Sequence, residues 1–438
     1  MSVVYALATP ASKSALCVFR VSGPGCLDGL QKMFSSPLVE PRRFYRRSVF
    51  YNDSLVDDVG VVFFKAPSSY TGEDSFEIYA HGGFAVMRSV VDLFKSLGFD
   101  EAGPGEFTKR AFINGKLSLN EAESVVDTIN NSSSELVSLS ANSLGGGFSK
   151  EVFGFSSRLD GFRKFIEGSI DFSDEDYDFI NEEGLLDGVA RLCADFGGFI
   201  NKCYSSGEGF LKKTVLFVGP PNSGKSSLFN RMLGFDRALV SDVAGTTRDL
   251  IESEVFYNNS SFSVLDSAGI RESSDQIEKE GIALTVSQIE DADVVVGVFD
   301  SADPSVFSSI KNLVSGKSFL SVLNKVDLGI KDGEGFFDLC VSAKTGDGIV
   351  DLKRKITSLS SLPKPVEHEY LARSRHIDLF NEGLSFLEEA LLKLRSGKDV
   401  ELAAEDLRLA RASLDEVVGI KTSDSLLGDI FKDFCIGK

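Results

Sequence analysis

The stretch Gly219-Pro-Pro-Asn-Ser-Gly-Lys-Ser-Ser227 constrains this chain more than any other. It follows the apolar, β-branched run Thr214-Val-Leu-Phe-Val218 and opens into Ser227-Leu-Phe-Asn-Arg-Met-Leu233, which reads as a helix. Strand, glycine loop and helix form the context in which G-x-x-x-x-G-K-[ST] carries meaning. Gly219 and Gly224 let successive backbone N–H groups and the helix N-terminus face phosphate oxygens. Lys225 would reach the β- and γ-phosphates, and the Ser226 hydroxyl would ligate Mg²⁺.

Three further signals follow in order, each after an apolar run: Asp266-Ser-Ala-Gly269, Asn324-Lys-Val-Asp327 and Ser342-Ala-Lys344. Ligands gather at the carboxyl ends of strands in a doubly wound sheet. Asp266 can hold the Mg²⁺ shell, and the Gly269 N–H can meet the γ-phosphate. Asp327 offers a carboxylate to the N1–H and exocyclic amine of guanine, a pairing adenine cannot make. Ser342 to Lys344 can present N–H groups to the guanine carbonyl. Together the four signals read as a guanine-nucleotide site.

The rest of the chain must house that site. Its 438 residues are enough for two or three domains, each with its own core. Runs such as Val294-Val-Val-Gly-Val-Phe299 are too short to span a bilayer. Met1-Ser-Val-Val-Tyr5 lacks the features of a signal peptide. Six scattered cysteines without CxxC spacing point to a reducing compartment, hence the cytoplasm, and away from structural zinc. A formal net charge of −19 argues against sequence-blind nucleic-acid binding but leaves room for RNA at a local patch.

Residues 1–117 read as α+β. Strand patterns cover Leu16–Val21, Phe44–Tyr51, Val56–Lys65 and Phe76–Tyr79; helical spacing covers Cys26–Phe34 and Phe84–Leu97, with Gly98 as a stop. The basic and aromatic cluster Arg42-Arg-Phe-Tyr-Arg-Arg47 reads first as a solvated strand and second as an RNA contact. Two stretches pair glycines with carboxylates and cations, as a polar small-molecule pocket or a pair of capped loops would. They are Ser69-Tyr-Thr-Gly-Glu-Asp74, continuing to His81-Gly-Gly83, and Gly103 to Lys116.

From Ser118 the pattern turns helical. Ser118-Leu-Asn-Glu121 has the form of a capping box, and Leu119, Ala122, Val125, Val126 and Ile129 fall on one face. Helical spacing continues over 151–170 and 185–204. The acidic run Asp171 to Asp178 between them reads as a solvated loop. Leu362-Pro-Lys-Pro365 closes the nucleotide region, and amphipathic helices return from Glu369 to Phe434 (Leu379, Phe380, Leu384, Leu387; Leu402, Leu407, Leu409, Leu414). The simplest architecture is a helical domain with the nucleotide domain inserted.

Two features bear on mechanism. Where many regulatory GTPases carry a water-orienting glutamine, after the DxxG glycine, this chain has Ile270. Glu272, Asp275, Glu278 and Glu280 lie just downstream. Gly245-Thr-Thr-Arg-Asp249 supplies hydroxyls for a switch segment, and Arg248 and Arg271 are candidates for a cis finger. The chain ends Cys435-Ile-Gly-Lys438. Gly437 and Lys438 do not fit prenylation. The thiol either frays with the tail or reaches into an active site.

Ser69-Tyr-Thr-Gly-Glu-Asp74, Pro104-Gly-Glu-Phe-Thr-Lys-Arg-Ala-Phe-Ile-Asn-Gly-Lys116, Gly245-Thr-Thr-Arg-Asp249 and Cys435-Ile-Gly-Lys438 together resemble the tRNA uridine-modification GTPases of the MnmE/TrmE type. The resemblance runs over essentially the whole chain. It implies a multidomain α+β and α/β chain. An N-terminal folate-binding and dimerisation domain (1–117) would precede a helical domain in two parts (118–209 and 362–438), with a parallel-sheet P-loop GTPase domain (210–361) inserted. It implies a homodimer that joins an FAD-dependent partner as a heterotetramer and acts on tRNA, without a membrane. The reaction would place an aminomethyl or carboxymethylaminomethyl group on C5 of the wobble uridine. A 5-formyl- or 5,10-methylene-tetrahydrofolate would supply the carbon.

Position by position, the resemblance assigns folate contacts to Arg20, Glu77, Lys116 and Lys438. It assigns K⁺ to Asn222, Ser241, Val243 and Thr246, in place of an arginine finger, and Mg²⁺ to Ser226 and Thr247. The GTP set becomes Asn222, Ser223, Gly224, Lys225, Ser226 and Ser227 in the loop. To these it adds Ser241, Asp242, Val243, Ala244, Gly245, Thr246 and Thr247, then Asp266, Ser267, Ala268 and Gly269. Asn324, Lys325, Asp327, Ser342, Ala343 and Lys344 complete it. Glu278 takes the catalytic carboxylate's place and Cys435 that of the family's terminal thiol. The chain departs from the family pattern at Ala11 to Ala15, Gly103, Ser118 and Ser267. The rival readings are a regulatory or ribosome-assembly GTPase switch, and a folate-dependent transferase in which GTP only gates access.

Overall fold

The computed structural model describes residues 2–34, 36–131, 134–171, 184–206, 214–233, 252–257, 260–266, 289, 292–301, 311, 314, 316–329, 337–360, 368–397, 399–421, 423–432 and 434–438. The chain divides into two compact units. The first joins Met1–Thr128, Ser140–Ser205 and Glu369–Lys438; the second joins Ile129–Leu139 and Ser206–His368.

The first unit begins with a six-stranded sheet: β1 (Val4–Leu7), β2 (Ser14–Ser22), β3 (Tyr45–Tyr51), β4 (Ser54–Phe64), β5 (Ser75–Gly82) and β6 (Asp100–Glu101). The spatial order is β3-β4-β5-β2-β1-β6, antiparallel except for the parallel β1–β6 edge. Helices α1 (Cys26–Met33) and α2 (Phe84–Ser96) contribute Leu30, Val90 and Phe94 to the core formed with Phe19, Phe76 and Ile78. Alternation along β2 explains what matters later. Cys17, Phe19 and Val21 are fully buried, so Arg20 must emerge on the opposite face. The antiparallel register sets Arg20 beside Glu77, which emerges between buried Phe76 and Ile78 in the same way. The expected strands and helices here form within a few residues of their predicted bounds; β1 and β6 carried no expectation. Gly98, at φ +78, ends α2 as predicted: its N–H bonds the Lys95 carbonyl at 3.0 Å.

After α3 (Glu106–Ile113) come the helices α4 (Leu119–Asn130), α5 (Ser134–Leu144), α6 (Gly147–Asp171) and α7 (Leu185–Lys202). The capping box at Ser118 forms by half. Glu121 Oε2 accepts from the Ser118 N–H at 2.7 Å, while the Ser118 hydroxyl bonds Asn120 and Ser149 instead. Cys203 and Tyr204 are not helical, against expectation. They begin β7 (Cys203–Ser206), which needs a partner supplied only when the chain returns to this unit after residue 368.

The second unit carries the other six-stranded sheet, with β8 (Thr214–Val218), α8 (Lys225–Leu233), β9 (Glu252–Tyr257), β10 (Ser260–Asp266), β11 (Val294–Asp300), β12 (Ser318–Asn324), β13 (Leu339–Cys340) and α9 (Ile349–Ser360). Its order is β13-β12-β11-β8-β10-β9, parallel apart from the β9–β10 hairpin. Strand β11 is buried from Val294 through Phe299, the continuous apolar run of a strand covered on both faces.

The chain re-joins the first unit as β14 (Tyr370–Arg373), the partner of β7, and continues into α10 (Ser374–Ser396), α11 (Val400–Val418) and α12 (Asp424–Lys432). Phe148, Phe196, Phe199 and Phe380 meet at ring-centroid distances of 5.4–5.8 Å in the core of this bundle. Leu387, Leu407 and Leu414 are buried there as expected, but Leu402 is exposed; Ala403, Ala404 and Ala410 take the inner positions and let the helices approach closely. No helix among the described residues is long and apolar enough to cross a membrane. The acidic run 172–178 lies outside the described residues.

Candidate functional site

The second unit builds a phosphate loop from its glycines. A Cβ on Gly224, at φ +90, would lie 2.3 Å from Asn324 Nδ2, and one on Gly219 would lie 2.2 Å from the Val298 carbonyl oxygen. No side chain fits at either position. The Lys225 ammonium rests on the carbonyls of Gly219 (2.9 Å) and Pro220 (3.0 Å), over the mouth of the loop. The Ser223 hydroxyl is buried without a hydrogen bond among the described residues, and Asn222 sits at φ +64 on the exposed turn.

Asn324 joins this loop to the base-binding segments. Its Nδ2 donates to the Ser223 carbonyl at 2.9 Å, and its Oδ1 accepts from the Ala343 N–H at 3.1 Å. The amide is buried, so both bonds are made away from water. Ser342, also buried, donates from Oγ to Asp327 Oδ1 at 2.6 Å and accepts from the Thr345 N–H at 3.1 Å. Lys325 pairs with Asp300 at 2.7 Å, and its carbonyl accepts from the Ser301 hydroxyl. One Asp327 oxygen is held by Ser342, which leaves the carboxylate oriented to accept from the paired N–H groups of guanine. Arg231 of α8 donates to the Thr345 carbonyl at 2.9 Å and steadies the same loop.

The structure therefore gathers Asn222 to Ser227, Asn324, Lys325, Asp327, Ser342, Ala343 and Lys344 at the carboxyl ends of β8, β12 and β13. Asp266 ends β10 beside β8, and its side chain is not described. Ser241 to Thr247, Ser267 to Gly269, Ile270 and Glu278 lie outside the described residues. What is present fits a hard cation with a phosphate: the Ser226 hydroxyl at the start of α8 supplies an oxygen and the loop backbone between Gly219 and Gly224 supplies N–H groups, apart from that of Ser223, which bonds the Pro220 carbonyl.

The first unit carries a different cavity, of about 100 Å³, lined by Arg20, Ser22, Phe64, Tyr70, Thr71, Ser75, Glu77 and Phe107. Arg20 donates from Nε (3.0 Å) and approaches through Nη2 (2.9 Å) the same Glu77 oxygen, Oε1, while Tyr79 donates to Oε2 at 2.6 Å. The guanidinium lies 5.4 Å from the Tyr70 ring centroid and 5.8 Å from that of Phe107. Burial, then the neighbouring Glu77 carboxylate, pushes the Tyr79 phenol up to about 12, so it stays a donor. The flanking Glu73 is spent inside the fold: Arg110, 3% exposed, bonds Glu73 (3.1 Å), Glu106 (2.8 Å) and the Ser2 carbonyl (2.9 Å).

The last four residues bond two of its lining residues, Arg20 and Phe107. The Phe107 N–H donates to the Lys438 carbonyl at 3.1 Å, the Gly105 N–H to that of Cys435 at 3.4 Å, and Pro104 bridges Ile436. Arg20 Nη1 donates to the Gly437 carbonyl at 3.4 Å. Burial first, then Arg20, lowers the Lys438 ammonium pKa. Cys435 is exposed. Arg20, Glu77 and Lys438 are thus brought together. Lys116 is not: it is exposed, outside the cavity lining, and its Nζ donates to the Pro67 carbonyl at 3.1 Å. Sequence reasoning missed Ser22, Phe64 and Ser75 as lining residues. Ser22 and Ser75 face each other in the β2–β5 register, a signal no linear spacing carries.

A guanidinium, a carboxylate and two ring faces are the donor set for a flat heterocycle bearing amide and amine groups. The cavity admits an edge of such a ring, as its volume falls below that of a site enclosing a whole drug-sized ligand, ~300 Å³ or more.

Ser342→Ala removes the bond that orients Asp327. The expected outcome is a guanine-nucleotide Kd raised by roughly tenfold or more, as for hydrogen bonds to charged groups, read by titration with a fluorescent GDP. An unchanged Kd would mean that Asp327 is oriented without Ser342.

Two family descriptions cover the chain: "GTP-binding protein TrmE N-terminus" matches residues 3–116 and "MnmE helical domain" matches residues 119–435. Curated proteins named tRNA modification GTPase MnmE match end to end. That of Thermosipho melanesiensis is 35% identical, covering 99% of each chain. That of Vesicomyosocius okutanii is 38% identical over 100% of this chain and 99% of its own. That of Legionella pneumophila (strain Philadelphia 1) is 36% identical over the whole of both. With a phosphate loop in the second unit and matches that run the length of the chain, the chain belongs to the MnmE family of tRNA modification GTPases.

Proposed function

We propose that this GTPase, with an FAD-dependent partner, installs an aminomethyl or carboxymethylaminomethyl group at C5 of the tRNA wobble uridine, in the cytoplasm. The observation that carries the reading is the placement of the Cys435 tail against Arg20 and Phe107 (3.4 Å and 3.1 Å), two residues of an aromatic-lined cavity that also holds Glu77. A GTP switch without a modification reaction needs neither the cavity nor the thiol.

The division of labour follows from the residues. Residues 1–117 would bind the folate and dimerise, 118–209 and 362–438 would form the helical domain, and 210–361 would bind and hydrolyse GTP. Arg20 and Glu77 would hold the folate ring, with Lys438 nearby; Lys116 would have to move from the Pro67 carbonyl to join them. Bound there, a tetrahydrofolate derivative would supply the carbon unit. The exposed Cys435 thiol, on the tail that bonds Arg20 and Phe107, would then be the accessible nucleophile carried to that pocket's wall, since Cys17 and Cys26 are buried.

In the GTPase unit, Lys225 and the loop amides would stabilise phosphate charge, and Ser226 with Thr247 would hold Mg²⁺. Asn222 with Ser241, Val243 and Thr246 would hold K⁺, the positive charge an arginine finger gives elsewhere. Glu278 would orient the water that Ile270 cannot.

Turnover is therefore expected to depend on K⁺, and Glu278→Ala to slow it by roughly two orders of magnitude while nucleotide still binds. Equal rates in K⁺ and Na⁺ at matched ionic strength, or an unaffected Glu278→Ala enzyme, would contradict the assignment. The function itself is tested by nucleoside mass spectrometry of tRNA from cells lacking this protein. C5-substituted wobble uridines should disappear and return with the wild type but not with Cys435→Ser. If they persist, the chain acts elsewhere, and ribosomal particles become the first place to look for its partner.

A further inference from the structure

Helix α4 contains a carboxylate that the functional reading does not use. Glu123 is 1% exposed and Asp127 4% exposed, one turn apart on the same face. Arg375 grips Glu123 with two bonds, Nε to Oε1 at 3.1 Å and Nη2 to Oε2 at 2.8 Å. His376 Nε2 stands 2.9 Å from Oε2, and Arg373 bonds Asp127 at 2.9 Å. Burial alone would raise the Glu123 pKa; His376, Arg375 and Arg373 hold it down at about 2. Burial pushes the Asp127 carboxyl up to about 6.

Burying a charged pair is a poor way to gain stability, because desolvation cancels most of the attraction. A two-bond fork between planar groups is a good way to fix a geometry, because it tolerates neither rotation nor slip. Here it fixes α4 against Arg373, the last residue of β14, and against the first turn of α10. That strand is the first element in the chain after the GTPase unit ends.

The adjoining stripe of α4 carries Leu119, Ala122 and Val126, which pack with Ile430, Phe431 and Phe434 in a separate small core. Phe434 is the residue before Cys435. Its Cβ lies 2.9 Å from where a Cβ on Gly105 would stand, so the tail is seated against the 103–107 loop without slack.

We propose that Glu123 and Asp127, clamped by Arg373, Arg375 and His376, are positioning residues that set the seat of the Cys435 tail through α4. The inference deepens the modification reading and rests on it for its functional meaning. Its physical content stands on the protein alone: the tail is held in register with β14, and a change at that strand reaches the thiol through one helix.

The amide of Phe107 reports the seat, because it donates to the Lys438 carbonyl. Hydrogen exchange of that amide is compared between the full-length protein and Glu123→Gln, which keeps the shape and removes the charge. Exchange is expected to quicken roughly three- to thirtyfold, the range of coupling along a packed network. Amides paired in β2 and β5 should keep their rates, and GTP turnover should stay within about twofold. A general loss of stability would move all of these together. Unchanged Phe107 exchange, or a parallel rise in the sheet amides, overturns the proposal. Should Glu123→Gln not fold, Asp127→Asn, which removes the charge bonded to Arg373 at 2.9 Å, decides by the same criteria. Because neither measurement involves tRNA, failure of the modification reading leaves this result readable in its own right.

Discussion

Close backbone approach at two glycines decides where the last four residues lie, and the chemistry of the first unit follows from it. Gly437, at φ +93, has Ala8 Cα and the Leu7 carbonyl oxygen 2.9 Å from where a Cβ would be. Gly105, at φ +65, has the Phe434 Cβ at the same distance. With no side chain at either point, the tail can thread between the end of β1 and the loop before α3. Its carbonyls then accept from Gly105, Phe107 and Arg20. The final residues are therefore part of the pocket's surroundings, held by backbone hydrogen bonds, and the thiol at 435 is delivered to a defined place.

The second unit solves a similar problem with a side-chain amide. Asn324, buried, touches both the phosphate loop and the 342–345 loop, through Ser223 and Ala343. Gly224 must lack a Cβ for that amide to come so close. The Asp327 carboxylate is in turn aimed by Ser342, whose hydroxyl fixes one of its oxygens. Each unit thus uses a glycine to admit a close contact and a short hydrogen bond to aim a charged group.

The nucleotide site was legible because its residues stand at fixed spacings after apolar strands, and phosphate recognition depends on local backbone shape. The Arg20–Glu77 pair was assignable only through resemblance. Its partners are 57 positions apart and meet because of an antiparallel register that the alternation of β2 and β5 permits but does not specify. The same limit hid β7 and β14, since Cys203 and Tyr370 read as helical until they find each other. On α4, apolar periodicity marked Leu119, Ala122 and Val126 correctly, yet it also marked Ile129, which is 46% exposed, and passed over Glu123, which is buried. A carboxylate is buried here by cations some 250 positions later, and no window of sequence contains both.

The most direct test of the account is calorimetric titration of 5-formyltetrahydrofolate into the full-length protein and into Gly437→Val. The added side chain cannot be accommodated beside Ala8 and Leu7, so the tail must leave its seat while the sheet and the GTPase unit stay intact. The account expects the wild type to bind and the variant to lose affinity by about tenfold or more, equivalent to ~1.4 kcal/mol. Equal affinities, with the tail shown to be displaced, would contradict the claim that the tail and the sheet form one site.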